Sequence, residues 1–141
     1  MPAIPAPPER FGDDLIELRE IAEWDIPEVL IAHQDDRDLH RRRGLERPPT
    51  GAQLGTEVER ATDERLAGRS VKLTIVEPRG NDCRGRVEVD SFDWEKRSAN
   101  LRVWAAPDAR GRGYEQHAAE LASQWLRSGV GLRDVDVTLL T

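Results

Sequence analysis

The sequence predicts an α/β fold in which helices flank a mixed, mainly antiparallel sheet. Alternating apolar and polar residues mark five strands, and apolar residues at helical spacing mark three long helical segments. These segments follow in the order strand, two helices, three strands, helix and strand. Short turns separate the three consecutive strands, which favours antiparallel pairing among them. The last strand follows a helix and completes the mixed sheet.

The bulk composition is that of one globular domain. The chain has 141 residues, of which 38% are hydrophobic and 34% are charged, and its net charge is -6. This acidic balance argues against nucleic acid or an anionic membrane as a partner. No apolar run approaches the roughly 20 residues of a membrane span, and no signal peptide is expected. A single cysteine, Cys83, suits a reducing compartment, so we expect the cytoplasm.

The N-terminal segment predicts a tail in front of the domain. Residues 1–13 contain four prolines and few apolar residues, which favours a disordered tail before a domain over residues 14–141. A short strand follows, in which apolar Ile16 and Leu18 alternate with charged Glu17 and Arg19.

Start signals precede the first two helices. Asp25 and Glu28 have the capping-box spacing, with Trp24 and Val29 at the positions of a hydrophobic staple. The charged stretch over residues 35–47 indicates a helix end and a loop. A second capping box starts the next helix, which a glycine ends: Thr50 and Gln53, then Gly68.

The second half of the chain predicts three strands, a helix and a final strand. The strands have their apolar residues in alternation: Val71, Leu73 and Ile75; Val87 and Val89; Leu101, Val103 and Ala105; and, last, Val135, Val137 and Leu139. The helix carries an apolar stripe: Tyr114, Ala118, Leu121, Ala122, Trp125 and Leu126. Gly129 and Gly131 are expected to end it.

A glycine-rich turn joins the third of these strands to the last helix. Gly111 and Gly113 leave the backbone open to a ligand, and Arg110 and Arg112 add positive charge. Unpaired N–H groups and the helix dipole favour an anion at a helix N-terminus. A pyrophosphate would suit such a turn, although a Gly-x-Gly turn alone is weak evidence.

The segment Arg110–Tyr114 resembles a longer motif, Arg/Gln-x-x-Gly-x-Gly/Ala, of which it matches the first five positions. That motif binds acyl-CoA in the GNAT acyltransferase superfamily. Trp104 and Pro107 before the turn, and the upstream Leu18-Arg19 with Asp25, are similar to its RimJ/RimL-like branch. The resemblance covers about residues 15–141.

The resemblance implies a GNAT-like fold that binds acetyl-CoA and transfers its acetyl group to an amine. The cofactor-binding positions would be Trp104, Ala105, Arg110, Gly111, Arg112, Gly113 and Tyr114. The pyrophosphate would lie over the turn, and the pantetheine arm between the strand Leu101–Ala105 and the strand Val135–Leu139. The amine acceptor, which no motif identifies, would approach from the side of the first two helices.

The sequence departs from the family pattern at the sixth motif position and in the expected base. Glu115 replaces a Gly or Ala, and its carboxylate could repel a pyrophosphate, fill the anion site, swing into water, or simply stabilise the helix. Many relatives carry a glutamate where Asn100 stands, and an amide cannot act as a base. Glu88 and Asp90 are weak substitutes that we expect on a solvated face.

The fold is expected to be C-terminally incomplete, because relatives continue past the final strand with a helix and two strands. Those elements often supply a tyrosine acid, whereas Tyr114 is the one tyrosine of this chain. The strand over residues 134–141 would then be an exposed apolar edge. A second copy, as in a homodimer, or a partner chain could cover it, or the sequence could be part of a longer protein.

The remaining polar and aromatic residues favour structural roles. His33, His40 and His117 lack metal-ligand spacing, Cys83 has no neighbour that would activate a nucleophile, and Trp104 and Trp125 are expected in the core. Arg41, Arg42 and Arg43 after His40 could meet an acidic acceptor or a nucleotide phosphate, or simply be solvated. Trp94 is a candidate for a partner or acceptor surface.

Two functions therefore follow from the sequence. One is an acetyl-CoA-dependent N-acyltransferase, and the other is a degenerate, non-catalytic GNAT-like module that acts by self-association or partner binding through its last strand. The intact turn favours the first; Glu115, Asn100 and the shortened C-terminus favour the second.

Overall fold

A computed structural model describes residues 2–141. Its strands are β1 (Phe11–Gly12), β2 (Glu17–Glu20), β3 (Val71–Val76), β4 (Gly85–Asp93), β5 (Ser98–Ala105) and β6 (Asp134–Leu139). Its helices are α1 (Ile26–Asp35), α2 (Leu39–Arg42), α3 (Gly51–Leu66) and α4 (Tyr114–Trp125). Short 3-10 turns span Glu23–Asp25 and Pro107–Ala109, and a π turn spans Leu126–Val130.

The six strands form one sheet in the order β1-β2-β3-β4-β5-β6. Every neighbouring pair is antiparallel except β5 and β6, which run parallel because α4 crosses between them. The prediction of an α/β fold with a mixed, mainly antiparallel sheet is confirmed. The structure adds β1 and the short α2, whose local patterns were too brief to predict.

The two faces of the sheet differ in chemistry. Apolar side chains of β2 to β5 pack against α4, and this core includes Leu73, Val87, Leu101 and Trp125. On the opposite face a smaller cluster joins Trp104 to residues of α1, α2 and α3. Trp104 and Trp125 are buried, as predicted. The rest of that second face carries charged side chains from β3, β4 and β5.

The N-terminal segment does not form the predicted disordered tail. Ile4 is fully buried in the main core, and its N–H and carbonyl both bond to Arg65 of α3. Phe11 and Gly12 pair with β2. The prolines discourage helix and strand, but one apolar side chain docked on the core is enough to fix the segment. Met1 lies outside the described residues.

The start of α1 differs from the predicted cap. The Asp25 side chain makes no capping bond to α1 and is fully buried. It instead receives hydrogen bonds from Arg19 at 2.7 and 3.0 Å, from Thr74 at 2.7 Å and from the N–H of Ala22 at 3.0 Å. Trp24 turns outward over the Arg19 guanidinium, so the predicted staple with Val29 does not form.

The other helix boundaries follow local signals. Thr50 and Gln53 exchange the two hydrogen bonds of the predicted capping box. Gly68, with φ of +74°, follows the end of α3, and Gly131, with φ of +88°, follows the π turn after α4. Within residues 2–141, no helix is long and apolar enough to cross a membrane.

Candidate functional site

The turn between β5 and α4 has two left-handed glycines. β5 ends at Ala105, and the chain then passes through Gly111 and Gly113, with φ of +78° and +79°, into α4. Residues with a Cβ rarely adopt this conformation, which explains the glycines. A Cβ added at Gly111 would meet no atom within 4 Å, so the backbone there is open to a ligand.

The N-terminus of α4 lacks a partner from the protein. Its N-cap is Gly113, and no side chain within residues 2–141 caps the helix. The first backbone bond of the helix runs from the N–H of His117 to the carbonyl of Gly113, at 3.1 Å. The preceding N–H groups of the turn and first helical residues remain for an external acceptor, and the helix dipole favours an anion.

The two arginines of the turn have different roles. Arg110 points back into the domain, where it donates to the carbonyl of Ala105 at 3.1 Å and to Asp36 at 2.7 Å. Arg112 is half exposed, with its guanidinium 5.9 Å from the ring of Tyr114. Arg112 can therefore reach a bound anion, whereas Arg110 fixes the turn.

Asp36 holds the turn to the loop after α1. Its carboxylate accepts from Arg110 at 2.7 Å and from Arg42 at 2.6 Å. Burial alone would raise the pKa of Asp36, but these hydrogen bonds outweigh it and lower the pKa to about 2. The carboxylate is therefore ionised well below neutral pH.

Tyr114 anchors the first turn of α4. Its ring is buried, and its hydroxyl donates to Glu77 at 2.7 Å. This hydrogen bond is the main reason that the pKa of Glu77 is lowered. Tyr114 thus contributes its backbone to the turn, while its side chain belongs to the core.

Glu115 lies inside the domain rather than in water. It is buried and accepts a hydrogen bond of 3.0 Å from the hydroxyl of Thr141. The same hydroxyl oxygen accepts from the N–H of Ala105 at 2.9 Å, and the N–H of Leu140 donates to Val103 at 2.8 Å. The carboxylate therefore neither fills the anion site nor swings into solvent.

These bonds correct the expected path of a pantetheine arm. β5 pairs with β6 from Ser98 to Val103, and Leu140 and Thr141 extend the contact to Ala105. No gap separates the two strands, so the expectation that an arm lies between them is wrong for this conformation. The turn is open to an anion, and a pantetheine arm could lie between the strands only if residues 134–141 separated from β5. Ala105 and the buried Trp104 are accordingly not open to a ligand.

Comparison with known proteins places this geometry in a family. A model of the acetyltransferase (GNAT) domain matches residues 16–139. The chain belongs to the GNAT acetyltransferase family. A comparison with curated protein sequences found no match. The resemblance of the chain to the GNAT superfamily is confirmed.

Solved structures share the fold at low identity. A putative ribosomal-protein-serine acetyltransferase from Vibrio cholerae has a TM-score of 0.75 and 13% identity, with 94% of this chain and 74% of that chain covered. Spermidine N-acetyltransferase from Vibrio cholerae, in complex with CoA and spermine, has a TM-score of 0.73 and 16% identity, covering 89% and 71%. Mycobacterium smegmatis RimJ, in complex with CoA-disulfide, has a TM-score of 0.68 and 16% identity, covering 87% and 61%.

The GNAT domain has a second candidate site, a cavity of about 470 Å³ on the charged face of the sheet. Its floor is the cross-strand row Lys72–Glu88–Arg102, since these residues are register partners on β3, β4 and β5. Residues 43–49 and the first half of α3 form its walls. The cavity lies on the side of the first helices, where the resemblance implies that an amine acceptor approaches.

The two weak candidates for a base are both held in ion pairs. Glu88 accepts from Arg43 at 2.7 Å and lies 3.7 Å from Arg102, and only 13% of its side chain is exposed. Burial would raise the pKa of Glu88, but Arg43, Lys72 and Arg102 lower it on balance. Asp90 accepts from Arg102 at 2.9 Å.

A carboxylate with a lowered pKa is a poor proton acceptor near neutral pH, so Glu88 is not assigned as a base. The prediction that Glu88 lies on a solvated face is wrong, because the loop after α2 covers it. Asn100, at the position where relatives carry glutamate, is exposed.

Two arginines, one lining the cavity and one buried beneath it, have contacts that the sequence did not predict. Arg43, the last residue of the basic run, is buried, and it contacts Glu88, the Nε2 atom of His33 at 3.1 Å and the ring of Trp104 at 5.5 Å. Arg86 is fully buried and forms an ion pair with Glu57 of α3. The alternation of the charged residues Arg86, Glu88 and Asp90 was the feature of the sequence that could have indicated these buried contacts. Charged residues in a strand, however, usually indicate a face exposed to solvent.

Other candidate residues have structural roles. His33 donates from Nδ1 to the carbonyl of Val29 at 2.7 Å, and its burial lowers its pKa. Trp94 stacks on Phe92 and donates to Gly68 at 3.2 Å, so it is not a free binding surface. Burial raises the pKa of Cys83 to about 12, which excludes a nucleophilic thiolate. No cluster of metal ligands occurs within residues 2–141.

Proposed function

We propose that this GNAT domain binds acetyl-CoA and transfers its acetyl group to an amine, as a member of the RimJ/RimL-like branch. The observation that supports the proposal most is the turn into α4, where Gly111 and Gly113 adopt left-handed conformations and the helix start lacks a capping side chain within residues 2–141. Solved structures of two similar proteins contain CoA or CoA-disulfide.

The residues of the turn bind the diphosphate of the cofactor. Backbone N–H groups over residues 111–114 donate to its oxygens, and Arg112 neutralises part of its charge. Arg110 keeps the turn in place through Asp36 and Ala105. The cofactor supplies a thioester: the amine nitrogen bonds to its carbonyl carbon, the C–S bond breaks, and one amine proton passes in net to the thiolate.

Titration calorimetry of acetyl-CoA tests the proposal directly. Wild type should bind with micromolar affinity, and Arg112→Gln should bind about tenfold more weakly, because it loses one charged contact. Glu115→Gln should bind more tightly, because the amide removes a negative charge near the turn and still accepts from Thr141. Arg127, an exposed residue of the π turn after α4, gives the control, and Arg127→Gln should not change affinity.

The proposal would be abandoned if neither wild type nor Glu115→Gln produced binding heat. Binding only by Glu115→Gln would show that the turn is competent and that the carboxylate switches it off in the wild type.

A second candidate function is a non-catalytic module that associates through β6. Within residues 2–141, β6 pairs with β5 on one side and with no strand on the other. Val137 and Leu139 are 42% and 40% exposed, beside a shallow groove against α4. An exposed apolar edge of this kind can pair with another strand. The pairing of β5 with residues 134–141 and the ion-paired Glu88 support this alternative.

Light scattering after size-exclusion chromatography tests association through β6. Wild type should elute as a dimer and Val137→Arg as a monomer if β6 is the interface, and an exposed change elsewhere, Ile31→Arg, should leave the dimer intact. A monomeric wild type would argue against self-association and leave the acetyltransferase proposal untouched.

A further inference from the structure

The cavity over Lys72, Glu88 and Arg102 has more positive than negative charge at its floor. Glu88 lies between Arg43 at 2.7 Å and Arg102 at 3.7 Å. Glu88 is therefore shared by two cations, and the same holds for a second carboxylate.

That second carboxylate is Glu57 of α3. It contacts Lys72 at 3.2 Å and forms an ion pair with Arg86. Arg86 is fully buried, and its Nε and Nη2 atoms have no hydrogen-bond acceptor within residues 2–141. A buried guanidinium with two unmatched donors leaves positive charge under the floor that the protein does not fully neutralise.

Asp90 and the rim do not remove this surplus. Asp90 accepts from Arg102, which brings three carboxylates against the four cations Arg43, Lys72, Arg86 and Arg102. At the rim, Glu46 and Arg47 are both exposed and adjacent in sequence, so their charges offset each other in solvent. The net charge of the cavity and its floor therefore remains positive.

Size and lining limit what can enter. A volume of about 470 Å³ suits a small molecule, and the cavity has an apolar wall formed by Leu45, Pro49 and Leu54. The β5 end of the floor row lies near the turn into α4, since Arg102 precedes Ala105, the last residue of β5, by three residues, or ~10 Å of strand. A short carbon chain with an anionic group would match both the wall and the floor.

We propose that this cavity is the acceptor site and that it takes a small amine bearing a carboxylate or phosphate group, and not a polyamine. The inference rests on the proposed acetyl transfer. The anionic group binds the donors of Lys72 and Arg102 that the floor carboxylates leave free, as charged groups bind strongly in partly buried sites. A polyamine brings further positive charge to a floor that already has a surplus, so it is repelled. The similar spermidine N-acetyltransferase, solved with spermine, thus differs from this chain in acceptor class.

Binding measured at equilibrium tests the class of acceptor independently of catalysis. Calorimetry without acetyl-CoA compares O-phosphoethanolamine and β-alanine, which carry an anion, with ethanolamine and spermidine, which do not. The first two should bind to wild type and the last two should not. Arg102→Gln should weaken O-phosphoethanolamine binding about tenfold, because one charged hydrogen bond is lost. Arg127→Gln is the charge-matched control and should bind as wild type does.

A substitution at the rim of the cavity provides a second test in case Arg102→Gln does not fold. Arg47 makes no hydrogen bond or ion pair within residues 2–141, so Arg47→Glu keeps the fold, and it replaces one positive charge at the entrance by one negative charge. It should weaken binding of O-phosphoethanolamine, and the loss should shrink as salt rises. Unchanged binding in both Arg47→Glu and a folded Arg102→Gln would overturn the inference.

Thiol release from acetyl-CoA, measured with the same four amines, tells the two proposals apart. Release with the anionic amines supports both. Binding of the anionic amines without thiol release supports the acceptor class and argues against acetyl transfer. Release with spermidine or ethanolamine but not with the anionic amines overturns the acceptor class and supports acetyl transfer. If none of the four amines binds and none causes thiol release, the inference is overturned.

Discussion

The hydroxyl of Thr141 donates to the carboxylate of Glu115 across 3.0 Å and so joins the segment after β6 to the first turn of α4. The same oxygen accepts from the N–H of Ala105 at the end of β5. Three elements that surround the candidate cofactor site thus meet at one side chain. This contact leads to the first of four predictions on stability.

Replacing Thr141 by valine should lower the free energy of unfolding by about 1–3 kcal/mol, because two partly buried polar groups lose their partner while the shape is kept. Urea unfolding followed by tryptophan fluorescence measures the change. Thr138→Val on the exposed part of β6 is the matched control and should leave the midpoint unchanged. Equal midpoints for the two variants would show that the Thr141 bonds contribute nothing.

The buried pair of Arg19 and Asp25 should be far more sensitive. Asp25→Asn removes the charge that faces Arg19 at 2.7 Å and should cost about 3–5 kcal/mol, the usual result of leaving one buried charge alone. The exposed pair of Asp38 and Arg41, 3.2 Å apart, offers the comparison, and Asp38→Asn should cost less than about 1 kcal/mol. Similar losses in both variants would refute this distinction.

Asp36 should make stability depend on pH. Its pKa in the folded protein is lowered from 3.8 to about 2, so the carboxylate stabilises the fold above pH 3.8 and loses that effect as pH falls through about 2. Asp36→Asn should therefore be less stable than wild type by roughly 2 kcal/mol at neutral pH. This difference in the free energy of unfolding between Asp36→Asn and wild type should decrease below pH ~4.

Urea unfolding at several pH values between 7 and 3 checks the Asp36 prediction. The neighbouring Asp35 is exposed, and Asp35→Asn should show no such gap at any of these pH values. A difference between Asp36→Asn and wild type that stayed constant down to pH 3 would contradict the lowered pKa.

The two glycine types in the chain should respond oppositely to alanine. Gly111 has φ of +78°, so Gly111→Ala should cost about 1–2 kcal/mol through backbone strain alone, since its Cβ would meet no atom within 4 Å. Gly55 lies within α3 with equal free space, and Gly55→Ala should stabilise the fold by about 0.5–1 kcal/mol. Thermal unfolding of both variants shows whether each substitution raises or lowers stability.

Local signals predicted those parts of the fold that depend on neighbours in sequence. The capping box of Thr50 and Gln53, the stop at Gly68 and the strand alternation are of this kind, as is the Gly111–Gly113 turn. Each of these features depends on hydrogen bonds or backbone preferences within a few residues, and each occurs in the structure as predicted.

Distant contacts explain the predictions that were wrong. Asp25 has the spacing of a helix cap, but its carboxylate instead accepts hydrogen bonds from Arg19 and Thr74, which lie on two strands. Ile4 docks on a core that is assembled from residues far along the chain. Glu88 has the pattern of a solvated strand residue until Arg43 covers it. Thr74, the core around Ile4 and Arg43 all lie too far along the sequence from these residues for local spacing to reveal the contacts.

The cations at the floor of the cavity have a further consequence. Three of them are guanidinium groups, and the fourth, Lys72, is one of only two lysines in the chain and is held against Glu57 at 3.2 Å. A guanidinium stays protonated and does not accept an acyl group. Of these four cations, only Lys72 therefore carries an amine that a reactive thioester could acetylate.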